Sequence, residues 1–193
     1  MRPGSWAAQI FDAVDRGQVD PQYVPGLLID YLAPALDTTL HGTANMLHLL
    51  GTHPDQWELV RQAPEQNVDR AVEEVLRYES PVRGFTRLAT ADHEVDGARI
   101  EAGQRIWTLL ASANRDERHF EDPDAFRVAR TRNNHLGFGA GPHLCAGVHL
   151  ARLEMRSLLY AMVEHVETIH IGPARIALNN MLRGFESLPA HFA

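Results

Sequence analysis

The run Phe138-Gly139-Ala140-Gly141-Pro142-His143-Leu144-Cys145-Ala146-Gly147 holds the only cysteine of the chain, in a glycine-rich loop. The cysteine lies two residues after a histidine and just before an apolar stretch with helical spacing, Val148 to Val163. Glycines let a backbone approach a flat object with no Cβ in the way. The helix that follows offers free N–H groups and a positive dipole end beside the sulfur, surroundings that suit a thiolate. A thiolate on a surface-facing loop, with the bulky apolar Phe138 nearby, is suited to be an axial metal ligand. Other readings compete. A lone cysteine is most often a buried, inert small hydrophobe. The alternating Gly137, Gly139 and Gly141 hint at a phosphate loop, but the spacing is not G-x-G-x-x-G and no Lys-Ser/Thr pair follows. Zinc is disfavoured, since His143 and Cys145 have no second Cys or Cys-His pair to complete four ligands.

Two further pairs could do chemistry. Asp37-Thr38-Thr39 puts an acid beside a hydroxyl in the middle of a long apolar helix, where threonine ordinarily bonds back to a carbonyl one turn earlier. Glu74 and Arg77 stand three apart on one helix face, most simply a solvated ion pair of a few tenths of a kcal/mol. Arg87, on a strand-like segment after the Ser80-Pro81-Val82 turn, reads by itself as a surface arginine.

The elements that must position these groups follow from periodicity and breakers. A short helix, Trp6 to Arg16, ends at Gly17. A long apolar helix runs from Pro21 to about Leu50, with interruptions expected at Pro25, Gly26 and Pro34. One helix starts at His53-Pro54-Asp55 and reaches Arg61. Another covers about Asn67 to Tyr78 and stops before Ser80-Pro81. Short strands at Phe85–Arg87, His93–Val95 and Arg105–Thr108 surround the turns Asp96-Gly97 and Ala102-Gly103. A helical turn near Ser112–Asn114 leads into an irregular stretch, Arg115 to Arg132, long enough to signal function or a bound partner. The cysteine loop and its helix come next, and the tail from Val166 to Phe192 reads as strands and turns. The pattern is α+β with helix dominant.

Composition narrows the classes. At 193 residues with 45% apolar and 22% charged residues, the chain can bury a core as one domain. The formal charge of −7 argues against a nucleic-acid partner. One cysteine fits a reducing compartment. No apolar run approaches the ~20 residues that span a bilayer, and no secretory h-region follows Met1. The expectation is a cytoplasmic protein without membrane contact.

Phe-Gly-x-Gly-x-His-x-Cys-x-Gly resembles the haem-thiolate signature of the cytochromes P450, soluble bacterial type, with every fixed position matched. The resemblance implies haem b as cofactor, Cys145 as the metal ligand, and a loop seat made by Phe138, Gly139, Gly141, His143, Ala146 and Gly147. It implies that Arg87 and His143 pair with haem propionates. Glu74-Val75-Leu76-Arg77 is similar to the family's Glu-x-x-Arg element, buried against the coil before the cysteine loop, with Arg130 as a third member. Asp37-Thr38 resembles the oxygen-activating element of the long helix, which makes Asp37 and Thr38 the catalytic proton relay. Pro34 and Ala35 stand where the family has Ala/Gly and Gly, so Pro34 is expected to kink that helix. Asn114-Arg115-Asp116 with Phe120 to Phe126 resembles the meander, with Glu117 in place of a proline.

The implied layout is one partial haem domain over 1–193: a short helix at 1–20, the oxygen helix at 21–52, helices at 54–79, sheet at 80–110, meander at 111–137, cysteine loop and final helix at 138–165, and strands and turns at 166–193. The family's N-terminal half has no counterpart. A fragment, a split protein or a self-associating remnant is therefore expected, with uncovered apolar faces on the 21–50 and 146–163 helices. The implied activity is monooxygenation of a small organic substrate, with electrons from a ferredoxin or flavin reductase. The alternative is a truncated, non-catalytic haem-binding or interaction protein. A structural helical adaptor without haem is a third class.

Overall fold

The structure, a computed structural model, describes residues 2–193. Helix α1 spans Trp6–Asp15, capped by Ser5 Oγ accepting from Ala8 N at 3.2 Å. Helix α2 runs from Val24 to Thr52 with Pro34 inside it, so the interruptions expected at Pro25, Gly26 and Pro34 do not occur. Pro25 falls in the first turn, where no amide donor is needed, and starts the helix. Pro34 deprives the Asp30 carbonyl of its donor, but both residues lie on an exposed part of the helix where water can take the bond.

Helices α3, Pro54–Gln62, and α4, Pro64–Tyr78, each open on a proline. That is why α4 begins a turn before Asn67. The region between α4 and the cysteine loop holds four short strands, β1 Phe85–Leu88, β2 His93–Val95, β3 Ala98–Ile100 and β4 Arg105–Thr108. They pair antiparallel as β1 with β4 and β2 with β3. The β2–β3 turn has Asp96 at φ 49° and Gly97 at φ 80°, the two left-handed positions of a tight primed hairpin. A single turn, α5, covers Leu110–Ala113, and helix α6 covers Val148–His165. The tail forms β5 Ile169–Ile171, β6 Arg175–Ile176, β7 Phe185–Ser187 and β8 Ala190–Phe192, paired β5 with β8 and β6 with β7. The chain is thus mainly α with small antiparallel sheets.

The core lies where α2, α4 and α6 meet. Met46, Leu50, Val68, Val72, Val75, Met155 and Leu159 are all buried there. A methyl group added to Gly42 would sit 3.4 Å from Pro81 Cγ and 3.5 Å from Met155 Sδ. The lack of a side chain at Gly42 therefore lets α2 close onto α6 and onto the turn that leads into β1. Among the described residues no helix is long and apolar enough to cross a membrane.

Candidate functional site

The site is built on a floor of buried charge. Glu74 and Arg77 are both fully buried and meet in a two-pronged pair, with Arg77 Nε and Nη2 each 2.8 Å from a Glu74 oxygen. Arg77 then donates to the carbonyls of Asn114 at 2.9 Å, Pro123 at 2.8 Å and Ala125 at 3.1 Å. Glu74 also accepts from Arg130 Nε, Asn133 Nδ2 and the Arg127 amide. One carboxylate on α4 thereby ties down the irregular stretch from 114 to 133, which has almost no secondary structure of its own. Asn114, wholly buried, carries the chain onward: its Nδ2 donates to Ser80 Oγ at 2.9 Å and its Oδ1 accepts from Leu136 N at 2.7 Å.

That leads directly to the cysteine loop. Gly137 is confined, because a Cβ there would lie 2.9 Å from the Leu76 carbonyl oxygen. Phe138 packs against the core, and its carbonyl accepts from Cys145 N at 2.9 Å. Gly139 at φ 72° and Gly141 at φ 61° take left-handed conformations that admit glycine readily. Gly141–His143 form a 3-10 turn, and Leu144 and His143 are exposed. The Cys145 thiol is free and exposed, three residues before the first residue of α6. A Cβ on Gly147 would lie 3.9 Å from its sulfur, so the space beside Sγ on that side is open. Ala146 adds only a methyl group.

Asp37, Thr38 and Arg87 come from other elements. Thr38 is half-buried on α2 and donates Oγ1–H to the Pro34 carbonyl at 2.7 Å, the ordinary behaviour of a helical threonine. Asp37 is exposed. Arg87 is half-buried on β1, donates to the Thr86 carbonyl at 3.0 Å and lies 5.7 Å from the Phe85 ring centre. Among the described residues no hydrogen bond or ion pair joins Asp37, Thr38 or Arg87 to the cysteine loop. What relates them is the backbone: Gly42, one turn past Thr38, abuts both Met155 of α6 and Pro81 before β1.

These residues fit a haem. The thiol is accessible at a loop whose glycines keep side chains away. Among the described residues neither Arg87, which donates to the Thr86 carbonyl, nor the exposed His143 forms an ion pair with a carboxylate, so each would be available to a propionate. No group of three or more His, Cys, Asp or Glu side chains converges among the described residues, so a metal held at Cys145 would need a ligand set from outside the chain, as a porphyrin would supply.

Several site-building residues escape sequence reasoning. Glu73 on α4 accepts from Arg152 of α6 at 2.7 Å through both Nε and Nη2, and from His135 Nε2 at 3.1 Å. Burial pushes its carboxyl up, but the bonds from His135 and Arg152 outweigh that and hold it at about 2. A signal for Arg152 existed, since it interrupts the buried stripe Val148, Met155, Leu159, Met162 at the position a core residue should take. His41, one turn after Thr38, sits against Gly184 with its Nδ1 buried and without a partner among the described residues. A separate cleft of about 360 Å³, lined by His48, His53, Glu79 and Arg183 among others, contains none of the residues nominated from the sequence. There Asn45 donates to the carbonyls of Glu79 and Arg183 and the Arg183–Glu79 pair closes at 2.7 Å, so it fastens the rear of α2 to the tail.

The family model described as Cytochrome P450 matches residues 14–174. The chain is 40% identical over 190 residues to Cytochrome p450 CYP199A2 of Rhodopseudomonas palustris, covering 98% of this chain and 46% of the relative. It is 35% identical to Cytochrome P450-terp of a Pseudomonas species, covering 93% of this chain and 42% of the relative. Among solved structures, that of CalO2 superposes with a TM-score of 0.90 at 31% identity, over 100% of this chain and 49% of the other. Cytochrome P450-153 from Novosphingobium aromaticivorans gives 0.86 at 35% identity, over 92% of this chain and 45% of the other. The chain thus spans less than half the length of these relatives.

Proposed function

The chain belongs to the cytochrome P450 family, and from that premise we propose that it supplies the thiolate-bearing part of a monooxygenase acting on a small organic substrate. The observation that carries the proposal is the exposed Cys145, whose amide donates to the Phe138 carbonyl in a loop tied through Asn114 to the Glu74–Arg77 pair. The group it holds is haem b, which supplies dioxygen binding and reductive activation when bound. Cys145 is the metal ligand. Gly139, Gly141, Ala146 and Gly147 leave room for the macrocycle, Phe138 packs beside the sulfur, and Arg87 and His143 neutralise propionates.

Asp37 and Thr38 move the protons. Thr38 commits its hydroxyl hydrogen to the Pro34 carbonyl, so Oγ1 offers lone pairs and works first as an acceptor that holds a protonated partner. Asp37, exposed to water, takes up protons from solvent and passes them inward. Electrons reach the iron from a ferredoxin or flavin reductase.

A second reading, a non-catalytic haem-binding or interaction protein, is favoured by one observation. Ile29, Leu32, Leu36 and Leu40 form an exposed apolar stripe along α2, between 61% and 71% exposed. Self-association or docking to complementary P450 sequence would cover it. The reduced carbon monoxide spectrum tests the main reading. A far red-shifted Soret band that is lost in Cys145→Ala supports cysteinate ligation; an unchanged spectrum in the variant refutes it.

A further inference from the structure

Glu73 and Glu74 are neighbours on α4, yet they serve different parts of the molecule. Glu74 binds the meander. Glu73 binds the two side chains that enclose Phe138. The guanidinium carbon of Arg152 lies 4.9 Å from the Phe138 ring centre, and the His135 ring centre lies 6.0 Å away. Gly137 N donates to His135 Nδ1 at 2.9 Å, so that nitrogen is the acceptor and Nε2 carries the hydrogen donated to Glu73. Glu73 therefore fixes both the tautomer of His135 and the plane of Arg152. The His135 side chain is only 2% exposed, and the Glu73 side chain 27%. Phe138 in turn takes the Cys145 amide on its carbonyl at 2.9 Å.

We propose that Glu73, acting through Arg152 and His135, is a positioning residue for Cys145: it clamps Phe138, and so sets both where the sulfur points and the charge it experiences. The proposal rests on the reading that Cys145 ligates haem iron. The charge balance gives it a sign. The opposite charges of Glu73 and Arg152 cancel. Glu73→Gln leaves the Arg152 charge uncompensated beside the loop, which draws electron density from the thiolate and makes the iron easier to reduce. The double variant Glu73→Gln with Arg152→Gln restores the balance while the clamp stays loose.

The test uses the full chain. In the haem-free protein, exchange of the Cys145 amide hydrogen should be about tenfold faster or more in Glu73→Gln and in the double variant, because the Phe138 carbonyl is no longer held. In the haem-loaded protein, Glu73→Gln should shift the iron–sulfur stretch to lower frequency and the midpoint potential upward. The double variant should return the potential toward wild type while its amide exchange stays fast. A role confined to folding would change melting temperature and leave the potential in place. Wild-type exchange and wild-type potential in Glu73→Gln would overturn the proposal, as would a potential shift that the double variant does not reverse. If the wild-type chain itself shows no cysteinate spectrum, the ligation reading fails, and the amide-exchange comparison still decides whether Glu73 holds the loop.

Discussion

The two halves of α2 are made of similar residues and meet different fates. From Gly42 onward the helix buries Gly42, Asn45, Met46, Leu49 and Leu50 against α4 and α6; before it, only Val24 is buried. Met46 is 0% exposed, whereas Leu36, ten positions earlier, is 71% exposed. The rear half closes the compartment that seats the cysteine loop. The front half, with Asp37 and Thr38, meets α1 through Trp6 against Tyr31, yet leaves Ile29, Leu32, Leu36 and Leu40 exposed. One helix thus joins a region that stores stability to a region shaped for something outside it.

The sharpest way to break that contrast is at the buried floor. Arg77→Ala strands Glu74 against the meander and should destabilise the fold by about 3–5 kcal/mol in denaturant unfolding. Within α2, Met46→Ala should cost about 2–5 kcal/mol while Leu36→Ala stays within about 0.5 kcal/mol in the same assay. Equal costs at both positions would erase the distinction between the halves.

An acid titration sharpens it from the electrostatic side. Glu73 titrates at about 2 in the folded chain against 4.5 ordinarily, so its contribution is present above 4.5 and is lost as pH falls toward 2. The loss is on the order of 3 kcal/mol, and Glu73→Gln should flatten that limb of a stability-versus-pH curve. The smallest structural effect belongs to the front half. Thr38→Val should change stability by less than about 1 kcal/mol, yet lower the fraction of consumed oxygen that appears in product.

The difference between the halves also bears on what could be read from residues alone. The cysteine loop, α6 and strands β1 and β4 were legible because each carries a local signal: a fixed spacing, a period near 3.6 or alternation beside turn residues. The unbroken course of α2 through Pro34 was not, since a proline on a solvent-facing turn is tolerated where a buried one is not. Glu73 and Arg152 are 79 positions apart and left no mark on their own segments beyond a charge in an apolar stripe. Asn114 was visible only as part of a motif; that it is buried and bonds Ser80 and Leu136 depends on how the meander folds back on α4. Local patterns singled out Cys145, and long-range pairing fixes the loop that carries it.

Iron K-edge X-ray absorption on the haem-loaded protein tests the central claim most directly. A single sulfur in the iron's first shell, present in the wild type and missing in Cys145→Ala, is the predicted result. A first shell of nitrogen and oxygen alone, identical in both proteins, would contradict it.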